Sequence, residues 1–180
     1  MSKLLNVSSS PHVRCGVSTK NLMYDVAIAM LPATIWGVMQ FGIYSLIVVV
    51  ATVLSCVLSE YLFETLMHKP VTISDGSALV TGMILGLNMP PAIPLWMPIL
   101  GGVFAIIVVK QLYGGLGQNW MNPALAARCF MLISFAQAMT KFTDPVTDAV
   151  ASATPLAAIK AGDTYDLAAM FIGKIPGTIG

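Results

Sequence analysis

The sequence predicts an all-α integral membrane protein, a polytopic helical bundle that contains broken or half helices. The 180-residue chain is 57% hydrophobic and 9% charged, with a mean hydropathy of +0.82. Soluble domains are about one quarter charged, so this chain cannot cover itself with a hydrated surface. Several apolar runs are long enough to cross a bilayer, and two more are interrupted by Pro or Gly. A net charge of +1 gives no indication of nucleic-acid binding.

Residues 1–20 are predicted to form a cytoplasmic N-terminal arm. The segment is polar and carries Lys3, Arg14 and Lys20 without an acid. Basic segments next to membrane spans stay on the cytoplasmic side.

Three apolar runs are predicted to be full-length spans. About 20 residues, at a rise of 1.5 Å each, cross the roughly 30 Å hydrocarbon core. The runs cover residues 22–41, 44–67 and 95–113. Lys110 favours a cytoplasmic end for the third span.

Residues 77–89, SALVTGMILGLNM, are apolar but too short to span. The following MPPAIP cannot continue a helix, which predicts a half helix followed by extended chain at membrane depth. Such chain is tolerated where protein encloses it or where it lines a cavity. Asp75 and Ser77 are the candidate N-caps.

A second interruption, GGLGQNWMNP, predicts a loop before the last apolar helix. Asn122 is the predicted N-cap and Pro123 the first helical residue. Arg128 lies inside this apolar run, where a charge costs roughly 3 kcal/mol on insertion scales. We expect Arg128 to pair with an acid or to hold the electron-rich edge of a bound ring.

Counting five crossings from a cytoplasmic N-terminus leaves residues 139–180 on the outer side. The chain is thereby divided into the arm 1–20, a transmembrane repeat of about five segments at 21–138, and the outer loop region 139–180. A re-entrant broken element would invert the later topology. Interrupted helices also point to a binding site near the membrane midplane.

Three acids, Asp25, Glu60 and Glu64, lie in or beside the predicted spans. Glu60 and Glu64 are four apart and share a helix face. We expect all three at headgroup level, because each lies within about two turns of a basic end. The alternative is a carboxylate on an ion pathway.

The stretch 148–156, DAVASATPL, follows the last apolar run. Local chemistry explains Thr154 as an N-cap with Pro155 at the first helical position. A helix start also suits a phosphate, because it offers free N–H groups and a positive dipole end. Thr154 is therefore also a candidate for a phosphate-linked group.

DAVASAT resembles the flavin-attachment motif Asp-x-x-x-(Ser/Gly)-Ala-Thr. The matching residues are Asp148, Ser152, Ala153 and Thr154. Two membrane segments, SDGSALVTGMILGLNMPP and GGLGQNWMNPALAARCF, resemble those of Rnf D subunits and of the related B subunits of sodium-translocating NADH:quinone reductases. Ser152 favours the Rnf type, since the reductase subunit usually has Gly at this place.

The resemblance implies a urea-transporter-like fold of two inverted five-helix repeats, of which this chain would be the first. It implies FMN esterified to Thr154 by a flavin transferase, possible binding of riboflavin, and other Rnf subunits as partners in a bacterial inner membrane. The implied role is electron transfer between ferredoxin and NAD, coupled to Na⁺ or H⁺ export. The alternatives are a reductase B subunit, a urea- or ammonium-type channel, and a structural subunit in which Thr154 is only a cap.

Overall fold

A computed structural model confirms an all-α integral membrane protein. It describes residues 16, 18–143, 150–151, 159–160, 162 and 168. Two strands of two residues each, β1 (Phe142–Thr143) and β2 (Val150–Ala151), pair antiparallel after the helices. The helical bundle therefore ends before this short hairpin pairing.

Among the described residues, three helical segments are long and apolar enough to cross a membrane. They lie within a residue or a turn of the predicted runs, because length and hydropathy are local properties. The third changes its hydrogen-bonding period along its length. The segments are α1 (Thr19–Phe41), α2 (Ile43–Leu66) and α4 (Trp96–Val103), which continues as a π-helix (Phe104–Lys110) and a 3₁₀ turn (Gln111–Tyr113).

Three shorter α-helices lie within residues 18–143. They are α3 (Ser77–Leu87), α5 (Pro123–Ser134) and α6 (Ala136–Met139). With 11 residues, α3 is about 16 Å long, which confirms a half helix. The Asn122 side chain accepts hydrogen bonds from the first turn of α5, which confirms the predicted cap.

Helix α3 packs antiparallel against α2 at very close range. A Cβ at Gly82 would lie 2.6 Å from the Cα of Val53, and one at Gly86 would lie 2.9 Å from the Cα of Val49. The two glycines are four apart, so they form one small-residue face. The backbones of α2 and α3 can approach because this face has no side chains.

The irregular chain after α3 is partly enclosed by protein, with Ala92 and Pro94 exposed. Met89, Pro90 and Ile93 are buried, and the Tyr44 hydroxyl donates a hydrogen bond of 3.0 Å to the Ile93 carbonyl. Tyr44 lies in the first turn of α2. Helix α3 and the irregular chain after it therefore return together to the end of the bundle where α2 begins. The broken element therefore traverses the bundle and is not re-entrant.

The third span runs parallel to α2, and α5 runs back against it. Ser55 donates to the carbonyl of Ile99, four residues into the span, while the span's far end reaches the end of α2. The Phe135 ring, after α5, lies 5.2 Å from the ring of Trp96. The described chain thus begins at one end of the bundle, and α6 finishes at the other.

The outer surface of the bundle is apolar. Met39 is 72% exposed and Leu66 is 75% exposed, and many other large hydrophobic side chains of α1 and α2 point outward. Water would oppose this arrangement, whereas lipid favours it. The core lies between α3, α4 and α5, around Leu85, Ala127 and Met131.

Candidate functional site

A polar cluster is buried where α2 ends, α3 begins and the third span ends. Glu60 is 0% exposed and Lys110 is 2% exposed, and the Lys110 Nζ lies 2.6 Å from the Glu60 Oε1. The pair joins residues 50 apart in sequence. This is the one ion pair that the described residues form.

Gln111 links the two glutamates of α2. Its Nε2 donates to Glu60 Oε1 at 3.0 Å and to Glu64 Oε1 at 3.2 Å. Glu64, only 2% exposed, also accepts from the backbone N–H of Thr72 at 2.9 Å and from the Thr72 hydroxyl. One amide therefore holds the two carboxylates of adjacent turns on one face, as their spacing predicts.

The start of α3 joins the same network. The Lys110 Nζ donates to the Ser77 Oγ at 2.6 Å, and the Ser77 hydroxyl donates to Asp75 Oδ1. Asp75 Oδ1 also accepts from the Ser77 backbone N–H at 2.8 Å. Gly76 occupies the cap position with φ +76°, and Ser77 is the first helical residue. The prediction of Asp75 or Ser77 as the N-cap is therefore wrong, because the cap position has a left-handed backbone that favours glycine.

Glu60 and Glu64 are enclosed by protein, whereas Asp25 is exposed. The headgroup-level position of the three acids stays a prediction. The enclosure of the two glutamates was not predicted, because their partner Lys110 lies fifty residues along the chain, where spacing on α2 cannot reveal it. The signal available in the sequence was Lys110 itself, a charge in an apolar run opposite two acids on one helical face.

Chemically, the cluster combines two buried carboxylates with one ammonium. The Glu60 Oε2 is buried without a hydrogen-bond partner among the described residues. Buried charges are normally paired and fully hydrogen-bonded. The arrangement can therefore accept a further positive charge or proton.

Arg128 lies on the exposed side of α5. Its Nη1 donates to the Asn88 Oδ1 at 2.6 Å, and within the described residues it forms no ion pair with an acid. Asn88 ends α3, so this contact joins the far end of the half helix to α5. A guanidinium has five N–H donors, and the remaining donors fit an anionic or electron-rich group. Ring binding by Arg128 stays a prediction.

The other predicted site residues lie outside the described residues. They are Asp148, Ser152, Ala153 and Thr154. Their grouping around an attached flavin stays a prediction from the motif.

A largely apolar groove opens between the π-helix and α5. Its volume is about 440 Å³, within the range of small-molecule sites. Val108, Tyr113, Trp120 and Cys129 are among the lining residues. Its size suits a planar ring, but the lining is poor in hydrogen-bonding groups, so no riboflavin contact is assigned to it.

Comparison with known proteins identifies a family. The profile described as the NQR2, RnfD, RnfE family matches residues 6–180. A protein of Acetobacterium woodii, named as the D subunit of a Na⁺-translocating ferredoxin:NAD⁺ oxidoreductase complex, is 47% identical over 97% of this chain and 53% of its own length.

Two further relatives have related names. The D subunit of a proton-translocating ferredoxin:NAD⁺ oxidoreductase complex of Clostridium ljungdahlii is 40% identical over 98% of this chain and 58% of its own length. The D subunit of an ion-translocating oxidoreductase complex of Shewanella denitrificans is 40% identical over 86% and 45%. The chain spans about half the length of these curated relatives.

Proposed function

The chain belongs to the NQR2, RnfD, RnfE family, and from that membership we propose that it is part of the membrane electron-transfer subunit of an ion-translocating ferredoxin:NAD oxidoreductase complex. The observation that carries the proposal is the similarity to the D subunits of such complexes across nearly the whole chain. The names of these relatives favour this complex over the NADH:quinone reductase.

The redox group of this subunit is FMN, joined through its phosphate to Thr154. The motif supports this, with Asp148 six residues before the threonine and Ser152 and Ala153 directly before it. When bound, the flavin supplies the electron-transfer chemistry, while the chain anchors and orients it. The small side chains next to Thr154 leave room for the flavin transferase that forms the ester.

Arg128 contributes to holding a flavin ring or another anionic group. The exposed guanidinium has N–H donors beyond the one used by Asn88, and a lipid-facing arginine would be unfavourable. A negatively charged group bound against the Arg128 guanidinium would remove this unfavourable exposure to lipid. Riboflavin is proposed as a second flavin of the complex without assigned contacts.

The protein lies in the bacterial inner membrane with the arm 1–20 inside and Thr154 outside. The basic arm supports the first assignment. The odd number of crossings from α1 to α5 supports opposite sides for the two regions. Its partners are the other subunits of the complex and the Na⁺ or H⁺ that the complex exports.

Covalent FMN is tested by expressing the full-length protein with a flavin transferase. After denaturing electrophoresis, the wild-type band should fluoresce under ultraviolet light, and intact mass should increase by one FMN less water. Thr154→Ala should lose both signals, whereas Thr147→Ala, at a threonine just before the motif, should keep them. A fluorescent Thr154→Ala band, or a wild-type band without flavin, contradicts the proposal.

The channel alternative has a separate readout. Liposomes containing the flavin-free protein should show no urea or ammonium flux above that of empty liposomes. Such flux would favour a solute channel, for which an attachable threonine is unnecessary.

A further inference from the structure

The polar cluster has an excess negative charge inside the protein. Glu60 and Glu64 are both buried, and Lys110 is the one buried cation that the described residues place against them. Glu64 has hydrogen bonds at both oxygens, whereas the Glu60 Oε2 has none. An ionised oxygen in this position is strongly unfavourable, and protonation removes the charge.

We propose that Glu60 is a proton-binding residue inside the membrane-spanning bundle, and that Lys110, Ser77 and Asp75 connect it to the surface. The proposal rests on this geometry and does not depend on the flavin or on the assignment to an oxidoreductase complex.

A proton fits the site better than an alkali ion does. An alkali ion needs several oxygen ligands at once and room for its own volume. The Lys110 ammonium already occupies the side of Glu60 Oε1, at 2.6 Å. A proton needs one oxygen and adds no volume.

A continuous line of hydrogen bonds leads from Glu60 outward. Lys110 contacts Glu60 Oε1 on one side and the Ser77 hydroxyl on the other. Ser77 in turn donates to Asp75 Oδ1, and Asp75 is only half-buried. The links are an ammonium, a hydroxyl and a carboxylate, and each of these groups can both give up and take up a proton.

Proton uptake along this line is balanced. Lys110 transfers a proton to the Glu60 carboxylate, which gives a neutral acid and a neutral amine. Asp75, protonated from bulk water, gives its proton to the Ser77 oxygen while the Ser77 hydroxyl proton passes to the Lys110 nitrogen. The net change is one proton from water to Glu60, with Lys110, Ser77 and Asp75 restored. The cluster of Glu60, Glu64 and Lys110 changes from one net negative charge to neutral.

The other ionisable groups around Glu60 are few. Cys56 and Glu64 lie on its own helix, Lys110 on the π-helix, and Asp75 on the turn before α3. The ionisable residues at the start of α1, namely Lys20, Tyr24 and Asp25, are exposed. Glu64 and Asp75 repel charge on Glu60, and Lys110 attracts it. Replacing Glu64 by Gln removes the excess charge and should therefore reduce protonation of Glu60 at a given pH.

The test is infrared difference spectroscopy between high and low pH on the full-length protein in its assembled complex. We expect a carboxylic acid C=O band that shifts in D₂O. The band should be absent in Glu60→Gln and move in Glu60→Asp, and it should be unchanged in the control Asp25→Asn, which replaces an exposed acid. A pH-sensitive band that neither Glu60 variant changes overturns the proposal, as does the absence of such a band in the wild type.

The relay is tested by the rate at which the band appears after a pH jump. Ser77→Ala should slow it several-fold without changing its final size, and Ser77→Thr, which keeps the hydroxyl, should restore it. An equal rate in Ser77→Ala overturns the relay. If adding Na⁺ at constant pH replaces the band, the site binds sodium and the proton assignment is wrong.

Discussion

Lys110 is the residue on which the buried cluster depends. Its ammonium donates to Glu60 at 2.6 Å and to Ser77 at 2.6 Å, and so joins α2, α3 and the third span. Lys110→Met leaves two buried carboxylates without their cation. Removing one partner of a buried pair destabilises by about 3–5 kcal/mol.

We therefore expect Lys110→Met to lower the unfolding midpoint of the purified protein in detergent. The matched control is Lys69→Met, because Lys69 is exposed and its Nζ lies 5.3 Å from the centroid of the Phe63 ring. Exposed substitutions usually change the free energy of unfolding by less than about 0.5 kcal/mol. Equal midpoints for the two variants would mean that the cluster does not stabilise the fold.

Sequence alone predicts those residues whose roles depend on near neighbours. Asn122 is such a case, since its oxygen accepts from N–H groups two and three residues away. Glu60 is the opposite case, because Lys110 and Gln111 are 50 and 51 residues away. Helix spacing predicted the shared face of Glu60 and Glu64 but not what covers it.

At the scale of elements, the contact between α2 and α3 depends on two glycines. A Cβ at Gly82 would meet the Val53 backbone at 2.6 Å, and backbone cannot move aside as a side-chain tip can. Gly82→Ala should force α3 away from α2 and destabilise the protein by about 1–3 kcal/mol.

The measurement is again the unfolding midpoint, with Gly37→Ala as the control. Gly37 lies within α1 and has open space around the added Cβ. Alanine is the better helix former by about 1 kcal/mol, so this control should be neutral or slightly stabilising. A Gly82→Ala protein as stable as Gly37→Ala would show that α2 and α3 separate without penalty.

The elements themselves were largely predictable from local signals. The interrupted third segment follows from its length of 11 residues and from the prolines after it. The π-helical part of the third span could not be predicted from the sequence, because FAIIVVK has no Gly or Pro to mark it. Its geometry depends on packing against α2 and α5, which is a long-range property.

At the scale of the whole molecule, the direction of each helix determines which helix ends lie on the same side of the membrane. Lys69 follows α2 at the end where the polar cluster lies, and Lys141 follows α6 at the opposite end. Both are exposed. In a variant with Cys15, Cys56 and Cys129 replaced, Lys141→Cys should react with an impermeant maleimide on intact cells, because the proposed cytoplasmic position of the basic arm puts that end outside.

Lys69→Cys should react only after the cells are permeabilised. A reversed result would invert the orientation of the protein. Labelling of both positions from the same side would contradict the antiparallel path of α3 and the chain that follows it.

The π-helix also determines what a small deletion would do. The Gln111 N–H bonds to the Ile106 carbonyl, five residues back, so this stretch has a wider turn than an α-helix. Loss of one residue between 104 and 109 would let this stretch close into α-helical bonding, and the tighter turn would largely compensate for the missing residue. Lys110 and Gln111 would then stay on the side of the glutamates. A single-codon deletion here should therefore disturb the buried cluster less than the same deletion within α2, where it would rotate all later side chains by about 100°.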